Sequence, residues 1–172
     1  GDNANISDEP FDELGGILDL TYGNNGFYGS FNPTPLGFVQ HEDAFLDSDG
    51  SVLLVGGKFD SVNYYIFKFD PDGQPDITFG GGSAFVGISV PAGAEIPRGI
   101  SKHPDGGYIV CGGIGTGSLI KIDSVGVLDT SFGTSGKVNI AAQARDCIFH
   151  PDGFIVVSGY LAADIYLYAY EL

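Results

Sequence analysis

Short apolar runs recur along this chain, and polar turns separate them. Val52–Val55, Tyr108–Cys111 and Phe154–Val157 are continuous apolar runs, which indicates strands that are buried on both faces. Tyr65–Phe69 and Leu119–Ile122 carry a lysine among apolar residues and predict a second kind of strand with alternating faces. No segment gives a convincing helix, so the pattern predicts an all-β fold.

A turn signal precedes each continuous apolar run. Ser48-Asp49-Gly50 precedes the first run, and Pro-Asp-Gly precedes the other two, ending at Gly106 and Gly153. Aspartate bonds to nearby backbone amides and glycine accepts a positive φ, so these tripeptides predict tight turns. Each turn therefore marks the start of a buried strand.

The whole pattern repeats three times. Gly16–Gly23, Gly73–Gly80 and Gly126–Gly133 share the order Gly-x-x-Asp-x-Thr/Ser-aromatic-Gly, and their final glycines lie 57 and 53 residues apart. About four short strands fit into each repeat, which is the timing of a β-propeller blade. The sequence predicts one domain of three four-stranded, propeller-blade-like repeats over residues 15–172, preceded by an N-terminal segment or linker over residues 1–14.

The repeat resembles a known family. Leu128–Val138 reads Leu-Asp-Thr-Ser-Phe-Gly-Thr-Ser-Gly-Lys-Val, and with a following Pro-Asp-Gly-hydrophobic strand it is similar to the delta-60 repeat. Tyr22 in place of phenylalanine and the Asp47–Asp49 turn depart from that pattern. The resemblance implies a propeller-like fold and a place in bacterial surface or secreted proteins, and it transfers no catalytic residue.

Three repeats do not close an ordinary propeller, which has at least four blades. We expect self-association, in which residues 15–31 complete the last blade of the same chain or of a neighbour. A homotrimer is favoured, because bacterial surface fibres often end in trimeric tips, and a dimer with six blades is the next choice. A fragment of a longer array and a three-sided prism remain as alternatives.

The terminal strand carries three aromatic residues at alternating positions. We expect Tyr166, Tyr168 and Tyr170 to occupy the face on which the other repeats place Lys68 and Lys121. Three exposed tyrosines would form an apolar stripe, so they are the candidate oligomer interface. Coverage by the N-terminal arm is an equal alternative.

Composition narrows the classes of partner. The formal charge is −15, from 22 acidic and seven basic residues. Such a charge repels phosphate backbones, so we expect no nucleic-acid ligand. No run reaches the roughly 18 apolar residues of a membrane span, so we expect no membrane insertion. Few lysines and many glycines favour an extracellular or cell-surface location.

Two acidic turns are candidate metal sites. Asp47-x-Asp49-Gly and Asp70-x-Asp72-Gly resemble the start of calcium loops but lack the downstream acid, so plain turns are favoured. The repeated aspartates of the Asp-x-Thr/Ser motif, such as Asp129, are predicted to bond local backbone amides. The sequence predicts no metal site and no cofactor.

Other residue types also favour structural roles. His103 and His150 precede Pro-Asp-Gly in different repeats, which is weak support for zinc. The glycines of Gly112–Gly117 follow a hairpin and precede no helix, so a nucleotide loop is not predicted. Cys111 and Cys147 could pair in an oxidising compartment, but two buried reduced thiols are favoured.

Function is expected where the repeats differ, because residues shared by all copies carry the fold. Three variable segments, residues 29–43, 58–64 and 90–98, combine aromatic, amide and charged side chains that suit sugar hydroxyls and rings. The candidate ligand-binding residues are Asn32, His41, Glu42, Asp60, Asn63, Tyr64, Glu95 and Arg98.

The sequence thus predicts a non-enzymatic binding or adhesion module of a bacterial surface or fibre protein, with a glycan or protein ligand. A structural spacer or trimerisation unit is the alternative. A glycoside hydrolase is a third class; acids are plentiful, but no carboxylate pair stands out, so no catalytic residue is assigned.

Overall fold

The structure is a computed structural model that describes residues 20–22, 39–57, 63–90 and 96–171. Three candidate ligand residues, Asn32, Asp60 and Glu95, lie outside these ranges. The N-terminal segment 1–14 and most of the strand expected from residues 15–31 also lie outside them.

The described chain is all-β, as predicted. Its eleven strands form three antiparallel sheets with the orders β1-β2-β3-β4, β5-β6-β7-β8 and β9-β10-β11. We call these sheets blade 1, blade 2 and blade 3. The strands are β1 (Gln40–Leu46), β2 (Val52–Gly57), β3 (Asn63–Phe69), β4 (Phe85–Ser89), β5 (Pro97–Lys102), β6 (Tyr108–Gly112), β7 (Gly117–Ile122), β8 (Lys137–Ile140), β9 (Gln143–Phe149), β10 (Phe154–Leu161) and β11 (Asp164–Glu171).

The predicted turns are present at the expected places. Gly50, Gly106 and Gly153 have φ values of 89°, 97° and 95°. Each amide donates to the carbonyl oxygen three residues earlier, at 2.9–3.0 Å. Because only glycine adopts this φ without strain, the Asp-Gly pair fixes where the first strand of each blade ends and its second strand begins.

The Asp-x-Thr/Ser-Phe motif forms a turn after the third strand of blade 1 and of blade 2. Asp76 accepts hydrogen bonds from the Thr78 amide at 2.9 Å and from its hydroxyl at 2.5 Å. Asp129 does the same with Ser131. The prediction that these aspartates fix turns is therefore confirmed. The aromatic residue that follows, such as Phe79, is buried in the core.

Blade 2 packs against blade 1 on one face and against blade 3 on the other. On blade 1, Leu53 and Val55 pack in one hydrophobic cluster with Tyr108 and Val110 of blade 2. The next residues of β6, including Cys111, point to the opposite face and join a second cluster that contains residues of blade 3. The period of two along a strand thus explains why the apolar runs are continuous.

The two cysteines meet between blades 2 and 3. Cys111 and Cys147 are free thiols and both are buried, as the favoured interpretation predicted. The Sγ atom of Cys147 lies 3.8 Å from the carbonyl oxygens of Gly99 and Ile109. Its contact with Cys111 and its burial raise the pKa of the Cys147 thiol well above the usual value.

We therefore expect the native thiols to be inert at neutral pH. Labelling of Cys111 and Cys147 by a thiol reagent should be about a hundredfold or more slower in the folded protein than in denaturant, because the reagent reaches a buried thiol only when the structure opens. Reaction with DTNB, with and without urea, measures this ratio. Equal rates in both conditions, or a chain mass lower by the two hydrogens of a disulfide, would contradict the expectation.

Candidate functional site

The first strands of the three blades lie side by side. β1 contacts β5, and β5 contacts β9. These strands run in the same sense within their blades, so their starting ends share one end of the blade row. We call this end of the three blades the bulge end, because each first strand has a β-bulge there. The variable segments predicted to bind ligand lead into this end. β3 begins at Asn63, and β1 and β5 begin one residue before His41 and Arg98.

Each first strand contains a β-bulge at the same position. The pairing registers shift between His41 and Asp43 and between Pro97 and Gly99, and the β9 register skips Arg145. Glu42, Arg98 and Arg145 are therefore equivalent bulge residues. A bulge re-aims a side chain away from the regular pleat, and bulges are frequent beside functional sites.

The structure brings two predicted ligand residues together. Glu42 and Arg98 came from separate variable segments, and their side chains form an ion pair between blades 1 and 2. Only 11% of the Glu42 side chain and 21% of the Arg98 side chain are exposed. The Glu42 Oε1 and Arg98 Nε atoms are buried and have no hydrogen-bond partner among the described residues. The pair thus offers one unused acceptor and one unused donor.

Arg145 is the third bulge residue and is not among the predicted ligand residues. It is exposed, its guanidinium donates to the Tyr160 hydroxyl at 2.5 Å, and its Cζ lies 4.7 Å from the centre of the Tyr160 ring. A constant distance in sequence identifies Arg145 as the equivalent of the other two bulge residues. Glu42, Arg98 and Arg145 each stand 14 residues before the glycine of the following apolar run, namely Gly56, Gly112 and Gly159.

Two aspartates follow the bulge residues of blades 1 and 3, and one of them bonds to a neighbouring blade. Asp43 accepts from the Ala44 amide at 2.8 Å and from the Ile100 amide of blade 2 at 3.1 Å. Asp146 accepts from the Cys147 amide at 2.8 Å. Burial raises the pKa of Asp146; the Cys147 amide opposes this, and the negative charge of Asp43 adds to the rise. Both carboxylates are therefore engaged with backbone amides.

The other predicted ligand residues have different surroundings. His41 is exposed, and its ring meets Phe67 edge to face at 5.5 Å. The Asn63 amide donates to the Tyr65 hydroxyl at 3.3 Å. Tyr64 is completely buried between blades 1 and 2, and its hydroxyl lies 3.0 Å from the Ser118 hydroxyl. This burial leaves Tyr64 no surface for a ligand.

The three terminal tyrosines do not share a face with the lysines. The register pairs Val156 with Ala169, so Ala169 occupies the position of Lys68 and Lys121. The expected common face is therefore wrong. The side chains of Tyr168 and Tyr170 pack against the cluster between blades 2 and 3. Their predicted contact with a second copy stays a prediction.

A buried polar group joins blades 1 and 2 at the end opposite the bulges. The Asp47 carboxylate accepts from Lys102 Nζ and from the Tyr108 hydroxyl, each at 2.6 Å, and Lys102 Nζ lies 4.1 Å from the centre of the Tyr108 ring. Asp47 also begins one of the acidic turns that resemble the start of a calcium loop. Among the described residues, no group of three or more acidic, histidine or cysteine side chains could hold a metal ion.

The two contacts between blades differ at this position. His103 of blade 2 replaces Asp47, and its ring meets Phe149 of blade 3 edge to face at 5.0 Å. An aromatic pair therefore replaces the buried ion pair.

In the ranges that the structure covers, no helix has the length and apolar character needed to cross a bilayer.

Comparison with known proteins bears on the fold. Residues 47–79 match the family described as "Domain of unknown function (DUF5122) beta-propeller". This segment runs from the Asp-Gly turn through β2 and β3 to Phe79. Three blade-like antiparallel sheets and this match define a β-propeller-like repeat protein. A comparison with curated proteins finds no match.

Two solved structures are similar to the chain. One is a protein of unknown function from Bacteroides caccae, with 15% identity and a TM-score of 0.48 over 79% of this chain and 47% of that chain. The other is the Dos1 propeller, with 13% identity and a TM-score of 0.38 over 71% of this chain and 29% of that chain. The chain therefore spans less than half the length of either structure.

Proposed function

We propose that this chain is a non-enzymatic binding module of a bacterial surface protein and that it binds a cell-surface glycan at the bulge end. The support is the Glu42–Arg98 pair, whose buried Oε1 and Nε atoms have no partner among the described residues. Both atoms are buried in the described structure, so a ligand would reach them only after a small movement of the pair; a sugar hydroxyl both donates and accepts, so one or two hydroxyls would then satisfy both atoms. An unsatisfied buried polar group costs about 1–3 kcal/mol, which a ligand would recover.

The neighbouring groups suit the same chemistry. Arg145 and Tyr160 present a guanidinium and an aromatic ring at the equivalent position of blade 3. Aromatic rings stack on the apolar faces of sugars. The net charge of −15 and the sequence resemblance to the delta-60 repeat favour a surface location over contact with nucleic acid.

A non-enzymatic role is part of the proposal. The Glu42 carboxylate is paired with Arg98, and the carboxylates next to the bulges, Asp43 and Asp146, each accept a hydrogen bond from a backbone amide. Glycoside hydrolysis needs one carboxyl group that protonates the leaving oxygen and a second that attacks or activates water. Carboxylates that hold the backbone are better suited to bracing the blades.

Binding to a printed array of bacterial and host surface glycans tests the proposal. We expect Arg98→Met to weaken binding of the best glycan about thirtyfold, which corresponds to a hot-spot cost of about 2 kcal/mol. Lys68→Met is the matched control, because it also removes one positive charge and one ion pair, here with Asp76 at 3.1 Å. That control should bind like the wild type.

A second variant separates binding from folding. The double variant Glu42→Gln/Arg98→Met removes both charges of the ion pair, so no buried charge loses its partner. It should therefore remain folded and still fail to bind. Binding of this folded variant at wild-type strength would refute the site. If the wild type bound no glycan but captured a purified surface protein, the ligand class in the proposal would be wrong.

A structural spacer or oligomerisation unit is the second candidate function. The observation in its favour is an exposed apolar face on blade 3, which includes Ile165 and Leu167. In this role the chain would join copies, as a trimer or a dimer, without a ligand. Association in solution together with an empty glycan array would favour the spacer.

A further inference from the structure

Arg145 is an exposed cation that lacks an acidic partner among the described residues. Its polar contact is with the Tyr160 hydroxyl. Other basic side chains form ion pairs with carboxylates, namely Lys68, Arg98, Lys102 and Lys121. The chain has 22 acidic residues and seven basic ones, so an arginine without a counter-ion is an exception. An anionic partner from outside the chain is therefore the first candidate.

The position of Arg145 explains why its counter-ion is missing. Glu42 and Arg98 are the bulge residues of blades 1 and 2, and they pair across the contact between these blades. At the contact between blades 2 and 3, Arg98 occupies the place of the acid and Arg145 that of the base. Two arginines cannot form an ion pair. The carboxylate that neutralises the base in the first contact thus has no counterpart in the second, and a ligand carboxylate would supply it.

Tyr160 holds Arg145 in place for such a ligand. Tyr160 follows Gly159, whereas Gly57 and Gly113 follow the equivalent glycines of blades 1 and 2, so the ring is particular to blade 3. Its hydroxyl accepts from the guanidinium at 2.5 Å, and the Arg145 Cζ lies 4.7 Å from the ring centre. An arginine has five N–H donors in one plane, so this bond leaves enough donors for a bidentate contact with a carboxylate. A side chain that is already held loses less entropy on binding.

The acid next to Arg145 in sequence is engaged elsewhere. The Asp146 Oδ1 atom accepts from the Cys147 amide at 2.8 Å and lies 2.6 Å from the place that a Cβ atom would take on Gly99 of blade 2. Asp146 therefore packs against blade 2 and does not neutralise Arg145. The net charge of −15 repels an anion at long range, but salt screens this repulsion beyond about 8–10 Å. A guanidinium and a carboxylate in contact are only about 3 Å apart.

An apolar side chain lies beside the guanidinium and the ring. Ile165 of β11 pairs with Tyr160 in the register, so both side chains are on the same face of blade 3. Ile165 is 87% exposed and Tyr160 is half-buried. This surface thus combines a cation, an aromatic ring and an exposed apolar group. An acidic sugar has the matching groups, which are a carboxylate, the C–H face of its ring and, in N-acetylated sugars, a methyl group.

We propose that Arg145 binds the carboxylate of an acidic sugar, a sialic acid or a uronic acid, while Tyr160 and Ile165 contact the apolar parts of that sugar. This inference rests on the proposed glycan-binding function and adds the class of sugar that is bound. Arg145 is already exposed, so the ligand reaches it without a movement of the blades.

Binding of matched glycans to the whole chain tests the proposal. The probes are sialyllactose and a disaccharide that ends in glucuronic acid, each as the free acid and as its methyl ester. The ester keeps the shape of the sugar and removes its charge. We expect the free acid of at least one sugar to bind about tenfold or more tightly than its ester, because hydrogen bonds to a charged group are stronger than neutral ones. The sugar that shows this preference identifies the source of the carboxylate.

Variants of the chain show where the charge is bound. Arg145→Gln should bind acid and ester alike. Tyr160→Phe keeps the ring but removes the hydroxyl that holds the guanidinium, so it should reduce the preference for the acid about threefold. Lys68→Met is the matched control, because it removes one positive charge from blade 1 and should keep the full preference. The ratio of acid to ester binding within each variant is insensitive to a general loss of stability.

Three results would overturn the proposal. If the wild type binds each ester as tightly as its acid, the glycan site stands, but the charge of the sugar is not recognised. If Arg145→Gln keeps the preference for the acid, the carboxylate is bound elsewhere. If the wild type binds no glycan, acidic or neutral, the proposed function is wrong and this inference is wrong with it.

Discussion

Replacing Gly112 with alanine is expected to lower the free energy of unfolding by about 3 kcal/mol, the upper part of the range for overpacked sites. A Cβ atom at Gly112 would lie 2.2 Å from the carbonyl oxygen of Ile96. The equivalent glycines have the same contact, with Gly56 at 2.5 Å from the Gln40 oxygen and Gly159 at 2.1 Å from the Gln143 oxygen. A backbone oxygen cannot rotate away from the added methyl group as a side chain can. The first and second strands of the blade must therefore move apart at this point.

Thermal and urea unfolding measure this effect. A loss of about 3 kcal/mol should lower Tm by about 6–12 °C for a chain of this size. Gly87→Ala is the matched control, because its Cβ would meet a Tyr65 ring carbon at 3.0 Å, and a side chain can shift slightly. That control should stay within about 1 kcal/mol of the wild type. Equal stability of both variants would disprove the steric role of the repeated glycine.

Replacing Asp47 with alanine is expected to cost about 2–3 kcal/mol. The carboxylate is buried and accepts from Lys102 and from the buried Tyr108 hydroxyl. Its removal leaves that hydroxyl without its partner, and Lys102 loses its counter-ion. Asp152→Ala is the control, because Asp152 is exposed and its contact with His150 at 3.5 Å is a surface pair worth about 0–1 kcal/mol.

The same group predicts how stability changes in acid. Burial raises the pKa of Asp47, but the hydrogen bonds from Lys102, Tyr108 and the Ser48 amide outweigh this and hold the pKa at about 2. The value in the unfolded chain is near 3.8. The contribution to stability is therefore complete above about pH 5 and is lost as pH falls towards 2. It amounts to about 2 kcal/mol, at about 1.4 kcal/mol per pH unit.

A comparison of pH profiles isolates this contribution. Unfolding free energies of the wild type and of Asp47→Ala should differ most above pH 5 and should converge near pH 2. Other paired aspartates titrate in both proteins and cancel in the difference. A constant difference across this range would show that Asp47 acts through packing alone.

Local patterns were sufficient to predict the blades. The Asp-Gly turns, the continuous run that became β6 and the Asp-x-Thr/Ser motif each depend on residues close in sequence, and the structure confirms all three. The role of Asp76 in its turn follows from the Thr78 hydroxyl two residues away. Neighbouring residues therefore carry most of the information about a single blade.

Which face a side chain occupies was harder to predict. In blade 2 the glycine at the end of the apolar run, Gly112, pairs with the residue six positions later, Ser118, whereas in blade 3 Gly159 pairs with the residue seven positions later, Tyr166. A shift of one residue in register moves every side chain to the other face. The sequence pattern puts Tyr168 on the same face as Lys121. The observed register pairs Tyr168 with Val157 instead, on the face that packs against blade 2.

The candidate site was predicted in part, and for a different reason. Glu42 and Arg98 were selected because their segments vary among the repeats, but their contact depends on bulges in two separate strands. Tyr64 was assigned to a loop, whereas β3 already includes it and turns it into the core. Arg145 lies within a regular-looking run, and only its spacing from Gly159 shows the equivalence.

The difference between the two inter-blade contacts also fixes the order of the blades. If blade 2 were deleted and blade 3 moved next to blade 1, Asp47 would face Phe149 and Ile155 instead of Lys102 and Tyr108. A buried carboxylate without a donor is costly, so such a shortened protein would be selected against. The contact of Asp47 with Lys102 and Tyr108 therefore matches blade 1 to blade 2 and not to blade 3.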